Sequence, residues 1–407
     1  TPLLLASKRG SAPMINTLLM AGAEVNPATT TTEMTPLMLA ATGGSIDSVR
    51  LLLQHGADVN AKESSHGQTA LMFAAALNHV GTVKALMEYA ADPSISTNVR
   101  IPPDRPRSPR RGERNDPLGG LTALIYAARQ GHIESAIALI KSGANIDQVS
   151  PGNQVSALLM ATINGRFDLA MSLLEHGADP NLASTWGMTP LYAVMNVQWA
   201  PHAFYPTPSA DQERATHIEL VQALLDRGAN PNARIKSRRL WYNVYASGGV
   251  GNINESGATA LWRAAQSSDV KAMRLLIAYG ADPNIPTDEG TSSLNVAAGA
   301  GWRGNLNVNA PAGWMPAVRY LVEELGSDVT EGNQHGYTPL HAAAERGDNE
   351  MILYFVGKGA DVKAVTTTGQ TVADMANGPR QRIRPFRETI ALLGALGGPV
   401  SHKCISC

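Results

Sequence analysis

Two short motifs in this 407-residue chain have residue types and spacings that can support chemistry. The first is a C-x-x-C pattern formed by Cys404 and Cys407 at the C-terminus. A histidine directly after Cys407 would complete a c-type haem attachment motif, whereas further ligands would make the pair half of a zinc site. The pair is otherwise a redox-active or simply exposed dithiol. These alternatives stay open because the pattern is incomplete as it stands.

The second motif is a G-x-G-x-x-G pattern from Gly299 to Gly304. In a dinucleotide-binding site this motif follows a strand and begins a helix within a βαβ unit. Here Gly301 stands where a short helix ends in the repeats described below, as Gly44 and Gly347 do. We therefore interpret it as a helix end. No Walker-type phosphate loop, zinc-protease His-Glu pair or nucleophile elbow occurs, so the sequence predicts no enzyme and no cofactor other than the haem alternative.

Charge and composition exclude several classes of protein. The chain has 33 Lys and Arg against 34 Asp and Glu, a net charge of −1, which argues against a protein that coats nucleic acid or an anionic membrane. No apolar run approaches the roughly 18 residues of a membrane span. The sequence therefore predicts a soluble protein that binds no nucleic acid and does not insert into a membrane, and it does not indicate a compartment.

The elements that position any site are set by an internal repeat. One phrase recurs, in which Thr or Ser is followed by Pro, Ala or a similar small residue, then by a short apolar stretch rich in Ala. Six of its nine spacings are 33 or 34 residues, and the others are longer by an insertion. A second phrase, Gly-Ala-Asp-Val-Asn or Gly-Ala-Asp-Pro-Asn, keeps the same period. The first phrase begins at Thr1, Thr35, Thr69, Thr122, Ser156, Thr189, Thr259, Ser292, Thr338 and Thr371.

Each phrase has a physical interpretation. Thr before an apolar run caps the free N–H groups of a helix, and Pro at the first helical position loses no bond. A second helix follows, with apolar residues at helical spacing, and it stops at a glycine such as Gly56. The Asp-x-Asn sequence that comes next favours a turn. One unit is thus helix, turn, helix and extended finger, and units must stack to bury their apolar faces.

With its segment from Thr338 to Ala343, the chain resembles the ankyrin-repeat family. The resemblance covers nearly the whole sequence, about ten repeats, and implies an all-α ankyrin-repeat solenoid with β-hairpin fingers. We expect an array over residues 1–393 with insertions at 94–119, 197–215, 234–256 and 302–314, and a tail at 394–407 that contains the C-x-x-C pattern.

The insertions differ in composition. The segment from Ser94 to Gly119 is rich in Arg and Pro and is predicted to be an extended, solvated loop. Four of the six tryptophans lie in the other insertions, which suggests either a satellite core on the array or a binding surface. We expect the insertions of repeats six and eight to pack against each other, through Trp199, Phe204, Tyr205, Trp302 and Trp314.

The resemblance implies a monomeric scaffold that binds another protein through its concave face. That face consists of finger tips and exposed first-helix positions, and its members are Phe73, Leu77, Tyr126, Arg129, Gln130, Met160, Asn164, Asn196, Arg263, Gln266, Tyr337, Glu345 and Arg346. One insertion offers a further binding segment with Arg238, Arg239, Trp241 and Tyr242. The alternative is a redox protein whose array supports a haem or metal element at Cys404 and Cys407.

Overall fold

The computed structural model describes residues 1–101, 117–200, 210, 212–236, 253–301, 309–377 and 385–401. These residues form twenty short α-helices in ten consecutive pairs, one pair for each recurrence of the Thr-initiated phrase. The predicted all-α repeat fold is therefore confirmed. Two compact units can be distinguished: unit 1 contains Thr1–Thr185 and Pro208–Ala223, and unit 2 contains Trp186–Thr207 and Leu224–Cys407.

Unit 1 contains the first five helix pairs. Each first helix has seven or eight residues and each second helix has nine. The pairs are α1 (Pro2–Lys8) with α2 (Ala12–Met20), α3 (Pro36–Thr42) with α4 (Ile46–Gln54), α5 (Ala70–Ala76) with α6 (Val80–Glu88), α7 (Ala123–Gln130) with α8 (Ile133–Lys141), and α9 (Ala157–Ile163) with α10 (Phe167–Glu175).

Unit 2 repeats the arrangement with more variation in helix length. The helix α12 (His217–Asp226) contains residues of both units, and a π-helical turn at Tyr320–Glu324 continues α16. The remaining helices are α11 (Pro190–Gln198), α13 (Ala260–Gln266), α14 (Val270–Ala278), α15 (Ser293–Ala297), α16 (Trp314–Arg319), α17 (Pro339–Arg346), α18 (Asn349–Gly357), α19 (Val372–Asn377) and α20 (Arg387–Ala395). No described helix has both the length and the apolar character that crossing a membrane requires.

The first helices begin where the sequence pattern predicts, because the hydroxyl group before each helix binds a free backbone N–H. Thr35 Oγ1 accepts a hydrogen bond from Met38 N at 3.3 Å, and Thr122 Oγ1 accepts one from Ile125 N at 3.3 Å. An N-cap of this kind is worth about 1 kcal/mol. The same bond starts the first helix at Thr1, Thr69, Ser156, Thr189, Thr259, Ser292, Thr338 and Thr371.

Stacking of these slim helices forms the core. In unit 1, α1, α3, α5, α7 and α9 pack in succession, and alanines such as Ala40 and Ala74 are fully buried between them. In unit 2, α11, α13, α15, α17 and α19 pack in the same order. The second helices contribute buried leucines and isoleucines, for example Leu52 and Leu86. Because no pair covers its own apolar side, the pairs stabilise one another.

The fingers of neighbouring repeats are joined by single backbone hydrogen bonds. In unit 1, Asn98 N donates to His66 O at 2.7 Å. Such a bond links chain segments about one repeat apart and satisfies backbone groups that the short helices leave free. The equivalent bonds run from Ser64 N to Thr32 O and Thr185 N to Asn153 O in unit 1, and from Lys236 N to Trp186 O, Asp288 N to Ser256 O, Gln334 N to Glu289 O and Thr367 N to His335 O in unit 2.

The Asp-x-Asn turn forms a second set of links between repeats. Within one turn, Asp58 Oδ1 accepts from Asn60 N at 3.0 Å. Asn60 Oδ1 then accepts from the backbone N of Asp92 in the following repeat at 2.9 Å. The same pair of bonds occurs in unit 2, where Asn232 Oδ1 accepts from Asp282 N at 2.8 Å. The recurring Asn is therefore a connector between repeats as well as a turn former.

The two ends of the predicted Arg-rich loop form paired β-strands, whereas the sequence predicted an extended loop there. The strands β1 (Val99–Arg100) and β2 (Leu118–Gly119) pair in an antiparallel manner, so the third finger is a longer β-hairpin. Gly119 has φ +103°, and a Cβ added there would lie 2.2 Å from the carbonyl oxygen of Asn98. Residues 102–116 lie outside the described part of the chain.

The other insertion bounds are adjusted by the structure. Val197 and Gln198 belong to α11, so the insertion of repeat six begins after them, and Trp314 is the first residue of α16. The two ends of the insertion predicted at 234–256 are joined by hydrogen bonds: Ile235 N donates to Ala258 O at 3.0 Å and Gly257 N donates to Ile235 O at 2.7 Å.

The third residue of the first helix makes different hydrogen bonds in different repeats. His341 is fully buried, and its Nδ1 accepts from Thr338 N at 3.2 Å. In two repeats that lack this His, a side-chain donor reaches the following finger: Trp262 Nε1 donates to Thr291 O at 3.1 Å and Asn295 Nδ2 to Tyr337 O at 3.2 Å. Burial lowers the pKa of His341 to about 4, so the imidazole is neutral at physiological pH.

We predict that replacing Asn60 by Ala lowers the free energy of unfolding by about 0.5–1.5 kcal/mol, because the backbone N–H of Asp92 loses its acceptor. Replacing Asn60 by Asp keeps an acceptor oxygen and should retain most of that stability. Urea denaturation followed by circular dichroism measures both. Equal losses for the Ala and Asp variants would contradict a connecting role for this side chain.

We predict that His341 makes stability depend on pH between about 6.5 and 4. In that window the unfolded imidazole takes up a proton and the native one does not, so the free energy of unfolding falls with pH by up to about 3 kcal/mol. His341→Asn retains the acceptor geometry that Asn295 already provides and should remove this component. Denaturation midpoints at several pH values measure it, with exposed His55→Asn as the control. An unchanged pH profile for His341→Asn would refute the assignment.

Candidate protein-interaction face

The first helices of unit 1 expose a row of apolar side chains. Leu5 on α1 is 66% exposed and Leu77 at the end of α5 is 47% exposed. Leu39 on α3 and Phe73 on α5 are half-buried. Leu5, Leu39 and Phe73 occupy the same place in their repeats, four residues after the capping threonine. We call Leu5, Leu39, Phe73 and Leu77 the unit 1 stripe.

The exposed charged groups on the first helices of unit 1 are basic. Lys8 and Arg9 are exposed one turn after Leu5, on the same side of α1. On α7, the Arg129 guanidinium carbon lies 4.8 Å from the centre of the Tyr126 ring. The helices α1, α3, α5, α7 and α9 contain no Asp or Glu. The first-helix face of unit 1 is thus apolar with positive charges.

Glu63, in the finger before α5, does not alter this charge pattern. Its side chain is 4% exposed, and its carboxylate accepts from the backbone N atoms of Ser65, His66 and Gln68 at 2.6–3.0 Å. Burial acts to raise the pKa of Glu63, but these hydrogen bonds outweigh it and hold the pKa below its usual value. The carboxylate therefore serves the finger turn rather than the exposed face.

The predicted binding residues of unit 1 are only partly exposed. Leu77 and Gln130 are exposed, and Phe73, Arg129 and Asn164 are half-buried. The expected exposure of Tyr126 and Met160 is wrong: they are 8% and 0% exposed.

The surroundings of these two side chains are well defined. Burial raises the pKa of the Tyr126 hydroxyl, and the Arg129 charge partly opposes that shift. Met160 lies beneath Asn164, whose Nδ2 donates to Met160 O at 2.8 Å.

In unit 2 the expectation of exposed first-helix side chains is wrong throughout. Tyr337 is half-buried, and the other members, Asn196, Arg263, Gln266, Glu345 and Arg346, are all buried. The contacts that accompany this burial are with residues next to the helices: Trp199 binds Arg263, the Trp314 ring lies on Arg346, and Tyr337 binds Glu345.

The first residue after α11 covers α13. Arg263 Nη2 donates to the carbonyl of Trp199 at 2.6 Å, and Arg263 Nε donates to Asn196 Oδ1 at 3.3 Å. The Trp199 indole Nε1 donates in turn to Asp269 Oδ2 at 2.9 Å, and Asp269 also caps α14. Trp199 therefore contacts both helices of repeat seven.

Ala310, in the insertion of repeat eight, and Trp314, at the start of α16, contact the next part of this face. Ala310 N donates to Ser267 O at 2.8 Å, and the Trp314 ring lies 4.0 Å from the guanidinium carbon of Arg346. Arg346 also forms an ion pair with Asp348 at 2.6 Å. Burial lowers the pKa of Arg346, and the Asp348 carboxylate opposes that shift. The guanidinium is thus enclosed between an aromatic ring and a carboxylate.

At the neighbouring position, Tyr337 and Glu345 interact with each other. The Tyr337 hydroxyl donates to Glu345 Oε2, and the Tyr337 ring stacks on His341 with centroids 5.6 Å apart. Trp199 and Trp314 are half-buried and contact the repeats, and the choice between a satellite core and a binding surface stays a prediction. Phe204, Tyr205 and Trp302 lie outside the described residues, so the packing of the two insertions against each other stays a prediction.

Sequence reasoning missed Leu5 and Leu39 as members of the candidate face. Their signal was the position four residues after the capping threonine, which they share with Phe73. The proposed binding segment with Arg238, Arg239, Trp241 and Tyr242 lies outside the described residues, as do Cys404 and Cys407. Among the described residues, no group of three or more His, Cys, Asp or Glu side chains is arranged to hold a metal ion.

Comparison with known families agrees with the geometry. A model described as ankyrin repeats in three copies matches residues 3–97 and 110–184. A model of ankyrin repeats in many copies matches residues 317–376, and a single ankyrin-repeat model matches residues 256–288. Together these matches fall in both units.

Similar proteins include alpha-latrocrustotoxin-Lt1a of Latrodectus tredecimguttatus, 34% identical over 107 residues, which are 26% of this chain and 7% of the toxin. The E3 ubiquitin-protein ligase KEG of Arabidopsis thaliana is 26% identical over 274 residues, 64% of this chain and 16% of the ligase. The chain thus spans a small part of these relatives. The human ASB11 ankyrin repeat domain has a TM-score of 0.47 and 25% identity, covering 70% of this chain and 99% of that domain. The repeat family matches, with the capped helix pairs, establish that this chain belongs to the ankyrin-repeat family.

Proposed function

We propose that the chain is a protein-interaction scaffold and that it binds its partner through the first-helix face of unit 1. Ankyrin repeats are generally protein-interaction modules. The observation that supports this location is the unit 1 stripe, in which Leu5 and Leu77 are 66% and 47% exposed next to half-buried Leu39 and Phe73. Contiguous exposed apolar side chains with a polar rim are characteristic of interaction sites.

The corresponding face of unit 2 supports a different role. Its polar side chains are buried, and those of Arg263, Arg346 and Glu345 contact Trp199, Trp314 and Tyr337 respectively. A partner would have to displace these contacts before it reached Arg263 or Arg346. We therefore assign the covered face to the stability of unit 2.

The redox alternative and the absence of enzyme activity stay predictions. Cys404 and Cys407 lie outside the described residues. Where a histidine follows Cys407 in the full protein, the visible absorption spectrum of that protein expressed with haem, compared with that of Cys404→Ser/Cys407→Ser, tests c-type haem attachment. A covalent haem band that the double variant lacks would favour the alternative.

We predict that Leu5→Asp/Leu77→Asp weakens partner binding at least about ten-fold, because two charges enter the apolar contact. The partner is first identified by affinity capture and mass spectrometry and then purified, and binding is measured by calorimetry. Both side chains are exposed, so the melting temperature should change little. Leu353→Asp, at a 51% exposed leucine of α18, controls for placing one aspartate on an exposed leucine outside the stripe and should bind like the parent. Parent-like affinity of the double variant would rule out this face.

We predict that Trp199→Ala destabilises the chain by about 1–3 kcal/mol and leaves partner affinity unchanged. The substitution removes the hydrogen bond to Asp269 and the ring above repeat seven. Trp199→Phe, which retains an aromatic ring, should lose less stability. Thermal melting and calorimetry with the same purified partner measure the two effects. Loss of partner binding in a variant that remains folded would instead show that the insertion is part of the binding surface.

A further inference from the structure

We infer that the unit 1 stripe binds an acidic amphipathic helix of the partner, with apolar residues seven positions apart. The inference deepens the proposed function and rests on it. Its first basis is the register of the stripe: Leu5, Leu39 and Phe73 follow their capping threonines by the same four residues. Because α1 packs on α3 and α3 on α5, these side chains form a row that crosses successive helices.

The spacing of this row favours a helix over an extended strand. Adjacent packed helices are about 8–10 Å apart, so the row presents an apolar group at about that interval. In an α-helix, residues seven apart lie on one face and are separated by about 10.5 Å along the axis. At the 10 Å end of this interval a helix with this spacing differs by only about 0.5 Å per repeat, whereas the residues of a strand that share a face recur every ~6.8 Å and differ by about 3 Å. A helix lying along the row can therefore place one apolar side chain at each repeat.

The second basis is charge. Lys8 and Arg9 are exposed one turn beyond Leu5, and Arg129 is half-buried at the Tyr126 ring. The five first helices of unit 1 carry no acidic residue, and the buried Glu63 is bound to the backbone of its own finger. A partner helix with Asp or Glu beside its apolar residues complements this surface, whereas a basic helix is repelled by it.

The apolar and basic groups are also close enough to act together. Leu5 and Lys8 are three residues apart on α1, and Leu5 and Arg9 are four apart, so all three lie on one side of the helix. A partner helix that covers Leu5 thereby places its polar flank near two cations. The unit 1 stripe thus sets the spacing of apolar residues in the partner helix, and Lys8 and Arg9 favour acidic residues beside them.

The test uses the full chain and a display library of random peptides about 21 residues long. Enriched peptides are synthesised with a fluorescent label, and their affinities are measured by anisotropy. We expect them to be net acidic, with apolar residues seven apart. Lys8→Glu/Arg9→Glu should weaken their binding at least about ten-fold. A version of each peptide with Lys in place of its Glu residues should bind this variant better than the parent chain.

A matched variant controls for net charge. Lys84→Glu/Lys141→Glu makes the same charge change at exposed positions of the second helices α6 and α8, and it should bind like the parent. Circular dichroism confirms that each variant is folded. If the two double variants weakened binding equally, the effect would be one of overall charge, and the inference would be overturned.

The remaining outcomes separate the inference from the proposed function. One outcome is that the peptides fail to bind Leu5→Asp/Leu77→Asp but are basic or neutral, or lack the seven-residue spacing. This outcome would overturn the inference of an acidic helix and would retain the unit 1 stripe as the binding face. Peptides that bind Leu5→Asp/Leu77→Asp as tightly as the parent would overturn both. Failure to enrich any peptide would also count against the inference, while the purified-partner measurement still decides the proposed function.

Discussion

The structure depends on one constraint: a single helix pair of this size cannot bury its own apolar side. A first helix of seven or eight residues has too little area to form a core, so each must pack on the first helix of the next repeat. Close packing requires small residues, which explains the buried alanines such as Ala40, Ala74 and Ala127. The capping threonines and connecting asparagines then satisfy the many backbone groups that short helices leave free.

The need to stack first helices restricts the residue types between them, so the repeats differ mainly in the side chains on the exposed side of the first helices. Side chains between neighbouring helices must be small or apolar, whereas those facing away from the stack are free of that requirement. Unit 1 uses this freedom for the exposed Leu5 and Leu77. Unit 2 places Arg263, Glu345 and Arg346 there, and each needs partners because burying a charged group without one is costly. Trp199, Asp348 and Tyr337 provide them.

The residues at the edges of the unit 2 insertions contact polar side chains of the first helices, which is a role that the length of the insertions does not reveal. Trp199 contributes a carbonyl oxygen to Arg263 and an indole N–H to Asp269, which links the end of α11 to both helices of repeat seven. Trp314 covers the guanidinium of Arg346. With these contacts, the side chains of Arg263 and Arg346 are buried within unit 2 and are not exposed to a partner. The exposed stripe of unit 1 has no such cover among the described residues, which is why we propose it as the binding face.

Much of this architecture could be predicted from local pattern. The spacing of Thr35, Thr69 and Thr122, the glycine that ends each second helix and the Asp-x-Asn turn specify ten helix pairs and their order, because capping and turn formation involve residues three or four apart. Exposure could not be predicted in this way. Tyr126 and Leu77 both follow helix starts at positions expected to face solvent, yet one is buried and the other is exposed. Arg263 is buried because Trp199, 64 residues earlier in the chain, lies over it. Sequence periodicity assigns a residue to a face, but only the tertiary structure decides what covers that face.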